Sequence, residues 1–139
     1  MLDLSALQRA VMSLEAVIGE TRNETFMASL NEVQRSAFIA GAIQNFEFTY
    51  ELCWKFMKRW LDLNLGSTYV EGVSRRELFR LAHQNRLIDS VDDWMLFHRA
   101  RNQTSHVYDR KVADEVYSVA VRFLPDAREL LQRIESKND

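Results

Sequence analysis

Between positions 101 and 108 the chain reads Arg101-Asn102-Gln103-Thr104-Ser105-His106-Val107-Tyr108. That short run holds a guanidinium, carboxamides, two hydroxyls, an imidazole and a phenol. The types suit phosphate chemistry. Arg101 offers a planar fork of donors for a phosphate and can stabilise charge developing on it. Ser105 adds a hydroxyl donor for the same oxygens. His106 supplies an imidazole, the side-chain type best suited to moving a proton at neutral pH. Asn102 can orient either group. Attack of an RNA 2′-hydroxyl on its neighbouring phosphate needs such a pair and no metal. A plainer reading stands beside this one. Asn, Thr and Ser at a helix end are commonly caps, and a histidine there commonly answers the helix dipole. An Arg-x4-His spacing also arises by chance. The residues alone leave both readings open.

Other reactive side chains have simpler expected roles. His83 and His98 do not stand at convincing metal spacing with His106, so no bound metal and no cofactor are expected. Cys53, the single cysteine, has apolar and aromatic neighbours and reads as a buried structural thiol. Asp92 and Asp93 read as first-turn carboxylates of a helix. Trp54 and Trp60 read as core or interface anchors. Glu47 and Glu51 lie one turn apart and are expected to be solvated or paired with Lys55 and Lys58. Arg75, Arg76, Arg80, Arg99 and Arg110 are candidates for a basic groove, with solvated surface charge as the plainer alternative.

The elements that must position the run are helical. Leu4, Leu7, Val11, Leu14, Val17 and Ile18 recur at three- and four-residue steps and predict a helix over 5–22, started by Asp3 or Ser5. Residues 23–32 are a loop or a frayed extension. From 32 to 64 runs the strongest pattern, a helix roughly 48 Å long, with Gly66 where a C-terminal cap belongs. Its aromatic stripe is too wide for one partner helix to cover. The small residues Ala37, Ala40, Gly41 and Ala42 suit intrachain packing or a dimer seam. Residues 65–73 read as a loop. Ser74-Arg75-Arg76-Glu77 predicts a capping box opening a helix to about Asn85, and Ser90 opens the next. Asp109 caps a last helix that Pro125 should kink or interrupt near Leu124. Arg101 and His106 lie roughly 140° apart on an unbroken helix, so only a break near Thr104-Ser105 could turn them toward one spot.

These elements add up to a single all-α domain over 1–139, an antiparallel up-and-down bundle of four or five helices. The 139 residues suffice for a core without disulfides or metal, and a net charge of −2 argues against a dedicated nucleic-acid coat. The N-terminal residues lack a basic, apolar leader, so a cytoplasmic protein without a membrane anchor is the expectation.

Arg101-Asn102-x-x-x-His106-x-Tyr108 resembles the R-x4-H-x-Y signature of the HEPN superfamily. The aromatic stretch Phe46-Glu47-Phe48-Thr49-Tyr50-Glu51-Leu52-Cys53-Trp54-Lys55 resembles the central helix of its nucleotidyltransferase substrate-binding branch, which is related to HepT-type toxins. The resemblance spans nearly the whole chain. It implies a homodimer and a separately encoded small nucleotidyltransferase as partner. For toxin–antitoxin members it implies RNA cleavage, with Arg101 binding phosphate, His106 as general acid/base and Asn102 as the polar residue after the arginine. It also implies Tyr108 as the tyrosine that the partner modifies with AMP, which silences the ribonuclease by charge and bulk.

Overall fold

The computed structural model describes residues 1–138. Seven α-helices are described: α1 (Ser5–Thr21), α2 (Glu24–Ala28), α3 (Glu32–Leu65), α4 (Ser67–Val70), α5 (Arg75–Gln84), α6 (Val91–Asn102) and α7 (Arg110–Ser136). A single 3₁₀ turn, Thr104–His106, joins α6 to α7. The described residues contain no strand, so the all-α expectation holds.

Cross-helix contacts fix the directions of the long elements. Thr49 donates to the Ala10 carbonyl and Ser13 to Asn45, so α1 and α3 run antiparallel. Gln8 meets Glu135, Arg128 meets Glu15 and Tyr117 meets Thr21, so α1 and α7 are antiparallel too. Tyr50 with His98 and Glu47 with Arg101 set α6 antiparallel to α3. The core lies where these helices meet. Phe123 of α7 packs edge-on against Phe46, Trp94 and Phe97, with ring centroids 5.2, 5.6 and 5.1 Å away. Burial of such rings is the main force holding the bundle together.

Caps explain most boundaries. The start of α3 is a full capping box: the Asn31 side chain accepts from the Gln34 N–H while the Gln34 side chain accepts from the Asn31 N–H. Because that box restarts the helix, Asn31 is a start signal rather than a weak point in a frayed segment. Gly66 closes α3 at φ 95°, a conformation that suits glycine. Ser74 accepts from the Glu77 N–H, but no reciprocal bond from Glu77 is present; that carboxylate turns to Arg80 instead. The expected box at α5 is therefore half of one. Ser90 and Asp109 cap α6 and α7 as expected.

Three expectations need correction. Residues 23–32 are neither a plain loop nor an extension of α1, since the separate helix α2 lies within them, started by the Asn23 side chain accepting from the Phe26 N–H. Residues 65–73 are not wholly a loop, since α4 lies within them. Pro125 does not interrupt α7, which runs on through it. Pro125 points outward, while Phe123, Leu124, Ala127, Leu130 and Ile134 are buried on both sides of it. Packing on both flanks outweighs the one backbone bond that proline removes.

The small-residue patch on α3 divides. Ala42 is buried and Gly41 faces Val17 of α1, whereas Ala37 and Ala40 point outward.

Candidate functional site

The expected break is present. Helix α6 ends at Asn102, the Thr104 hydroxyl donates back to the Arg101 carbonyl at 2.8 Å, and the 3₁₀ turn follows at once. The side chain of Thr104 thus takes part in ending the helix. Arg101 and His106 do not sit on one continuous α-helix.

Arg101 is half-buried, and its setting differs from expectation. Its Nε donates to Glu51 Oε1 at 2.7 Å, and Nη2 lies 3.7 Å from Glu47 Oε1. The two glutamates pair with this arginine across helices rather than with Lys55 and Lys58 on their own helix. The second oxygen of Glu51 accepts from the Trp54 indole at 3.0 Å. Trp54 in turn lies under the Arg75 guanidinium, 3.5 Å from its ring centre.

Asn102 is exposed and its carboxamide nitrogen stands 3.4 Å from His98 Nε2. On its other side His98 Nδ1 is 2.8 Å from the hydroxyl of buried Tyr50. With the Asn102 amide so oriented, Nε2 accepts and Nδ1–H donates to Tyr50 Oη. Burial, and then the positive charge of Arg75, hold the His98 imidazole below its usual pKa, which favours this neutral form. Burial likewise pushes the Tyr50 phenol and the Cys53 thiol up, so both stay protonated and neither is poised as a nucleophile.

His106 and Ser105 are exposed. The His106 ring stands edge-on to Tyr108 with centroids 6.3 Å apart. Tyr108 is 87% exposed, the property a modifiable phenol requires. It also lines a cavity of about 470 Å³ between the starts of α3 and α7, walled by Met27, Ile39, Ile43, Val107 and Ala113. The run therefore forms three local groups: Arg101 with the glutamates, Asn102 with His98, and His106 with Tyr108. No hydrogen bond joins one group to another among the described residues.

His98, Tyr50 and Arg75 complete the surroundings, and sequence reading gave none of them this part. Two contacts left a local signal: Glu51 with Trp54, three residues apart on α3, and His98 with Asn102, four apart on α6. Asp92 and Asp93 are first-turn carboxylates, met by Arg76 at 4.0 Å and Arg122 at 2.8 Å. No group of three or more His, Cys, Asp or Glu side chains suited to a metal ion occurs among the described residues. No described helix is long and apolar enough to cross a membrane.

The chain is thus an all-α bundle whose sixth helix ends in an Arg-Asn-x-x-x-His-x-Tyr turn beside an aromatic third helix. The chain belongs to the family described as nucleotidyltransferase substrate binding protein like, whose pattern matches residues 2–136. It is 32% identical over 138 residues to a Haemophilus influenzae protein named probable ribonuclease HepT, covering 99% of this chain and 94% of that one. A solved Haemophilus influenzae structure, described as the fold of a substrate binding domain of a nucleotidyltransferase, is similar with a TM-score of 0.92. Its identity is 31%, over 96% of this chain and 99% of that one. A Thermus thermophilus crystal structure is similar at a TM-score of 0.63 and 25% identity, over 92% and 97% of the two chains.

Proposed function

We propose that this chain is the substrate-binding subunit of a two-component minimal nucleotidyltransferase, and that Tyr108 is the residue its partner modifies with AMP. Membership of the family over residues 2–136 carries the first part. The exposure of Tyr108 beside His106 supports the second. In the reaction, Tyr108 Oη attacks the α-phosphorus of ATP held by the partner. The bond to pyrophosphate breaks, pyrophosphate leaves and the phenol loses its proton. Mixing the chain with the small nucleotidyltransferase encoded nearby and ATP should add the mass of AMP, and Tyr108→Phe should abolish the increment. Failure of the two proteins to bind, or an increment that survives Tyr108→Phe, overturns the reading.

The relative named as a probable ribonuclease favours a second reading. Here Arg101 binds the scissile phosphate of RNA with Ser105 beside it, and His106 moves the proton. The 2′-hydroxyl attacks phosphorus, the 5′-oxygen leaves and a 2′,3′-cyclic phosphate remains. Asn102, steadied by His98, orients the group next to it. AMP on Tyr108 brings a phosphodiester to the edge of the His106 ring, where it blocks the approach of RNA. The two readings are compatible, because the ribonuclease is then the transferase's substrate. The chain acts as a cytoplasmic homodimer, with the outward residues Ala37 and Ala40 of α3 on the seam. In the plainest alternative, a non-catalytic interaction module, Arg101 and His106 only hold the bundle together.

A further inference from the structure

Arg75 opens α5 as a half-buried guanidinium, and among the described residues no carboxylate lies within salt-bridge reach of it. Its neighbour Arg76 reaches Asp92, and Arg101 has two glutamates. A partly desolvated cation without a counter-ion is unfavourable unless something else compensates it. The face of Trp54, 3.5 Å away, does so in part. Stacking uses only the flat face of a guanidinium. One in-plane N–H faces the Tyr50 hydroxyl, the others keep their capacity, and the stack fixes the direction in which they point. Arg75 is thus an anion fork set in advance.

Its position relates it to Arg101. Arg75 rests on Trp54, Trp54 donates to Glu51 Oε2, and Glu51 Oε1 holds Arg101. The charges of both arginines also bear on the same His98 imidazole. Two guanidinium groups from different helices are therefore joined through Trp54 and Glu51, one stacked on the indole and the other held by the carboxylate. A single phosphate at Arg101 competes with the Glu51 carboxylate already bound there. A second anionic group, next in succession, meets no such carboxylate at Arg75. A phosphodiester strand presents such a succession.

We infer that Arg75 is a second phosphate-binding residue, taking the phosphate next to the one at Arg101 on a single-stranded RNA. This rests on the ribonuclease reading above. Arg75 serves binding rather than bond-breaking, so its loss affects RNA of any sequence alike.

The test uses the full chain carrying His106→Ala, so that bound RNA survives. A fluorescent single-stranded RNA of mixed sequence is titrated across a series of KCl concentrations. In that background Arg75→Ala and Arg75→Gln should each weaken binding about tenfold and make the plot of log affinity against log salt shallower by about 0.7. Arg75→Lys should keep the slope. Arg128→Ala, on the α1–α7 face, should change neither. Thermal melts accompany each variant, and the glutamine keeps a planar group over Trp54 should alanine disturb folding. RNA binding by the parent with an unchanged slope in Arg75→Ala and Arg75→Gln overturns the inference and leaves the ribonuclease reading standing. No RNA binding by the parent, with Arg101→Ala indistinguishable from it, overturns both. Inorganic phosphate binding that needs Arg75, while RNA binding does not, rejects the strand and leaves only a free-anion site.

Discussion

At Arg101 one guanidinium serves two carboxylates, and that arrangement separates structural from chemical roles. Arg101→Ala leaves Glu47 and Glu51 facing each other one turn apart without a cation. Because the pair is only half-buried, the expected loss in stability is about 1 kcal/mol, read from urea unfolding. Arg101→Lys retains charge but loses the planar fork. If Arg101 acts on phosphate, Lys should keep most of the stability yet lose RNA cleavage. His106 is exposed, so His106→Ala should leave the melting temperature nearly unchanged while lowering cleavage about 100-fold or more. Equal cleavage in wild type and both variants returns these residues to a scaffold role. His98 gives a pH prediction. Its pKa is lowered on folding, so between that lowered value and the ordinary 6.5 the unfolded chain binds more protons than the folded one. The contribution of His98 to stability is full above pH 6.5 and falls as pH drops through 6.5 toward the folded value. Melting temperatures measured from pH 7.5 down to 5.5 should decline, and His98→Gln should flatten that decline.

Among the elements, α7 carries the clearest local conflict. Pro125 removes the N–H that would bond to the Val121 carbonyl, yet the helix continues because buried residues lie on both sides. Since Pro125 is exposed, Pro125→Ala should restore the bond without disturbing the core. It should stabilise the chain by about 1–3 kcal/mol, measured by denaturant unfolding; a loss of stability would mean that the proline is shaping the helix. The same element shows why sequence reading goes only so far. The periodic stripes of α1, α3 and α7 are written in local spacing, as are the caps at Ser90 and Asp109, so those helices were legible. The break after Asn102 was legible too, because Thr104 and Ser105 are poor helix formers with hydroxyls that reach the backbone. What could not be read is how flanking burial overrides a proline, or that Glu51 reaches Arg101 fifty positions away. Both are decided by packing between helices, which spacing along the chain does not encode. His98 lies one helical turn before Asn102 on α6, but its other partner Tyr50 reaches it only once α3 and α6 are antiparallel.

For the molecule as a whole, Phe123 is the central side chain. It touches Phe46, Trp94 and Phe97 from three directions, so Phe123→Ala would open a cavity bounded by α3 and α6 alike. The expected loss is about 3–5 kcal/mol, a large part of the stability of a domain this size, measured as a fall in the urea midpoint. The outer surface of α3 is the seam of the proposed homodimer. Val33 and Phe48 are 79% and 61% exposed, and Ala37 and Ala40 face outward between them. On the proposed homodimer, Ala40→Arg sets a charge on the seam, and light scattering should then report half the mass of the parent. An unchanged mass would move the seam elsewhere.

Glu51 spends one oxygen on Arg101 and the other on the indole beneath Arg75. Whatever draws Arg101 away from Glu51 also disturbs the carboxylate that steadies the indole beneath Arg75. On the proposed reading, anion occupancy at the two arginines is then thermodynamically linked, each event altering the free energy of the other by the same amount.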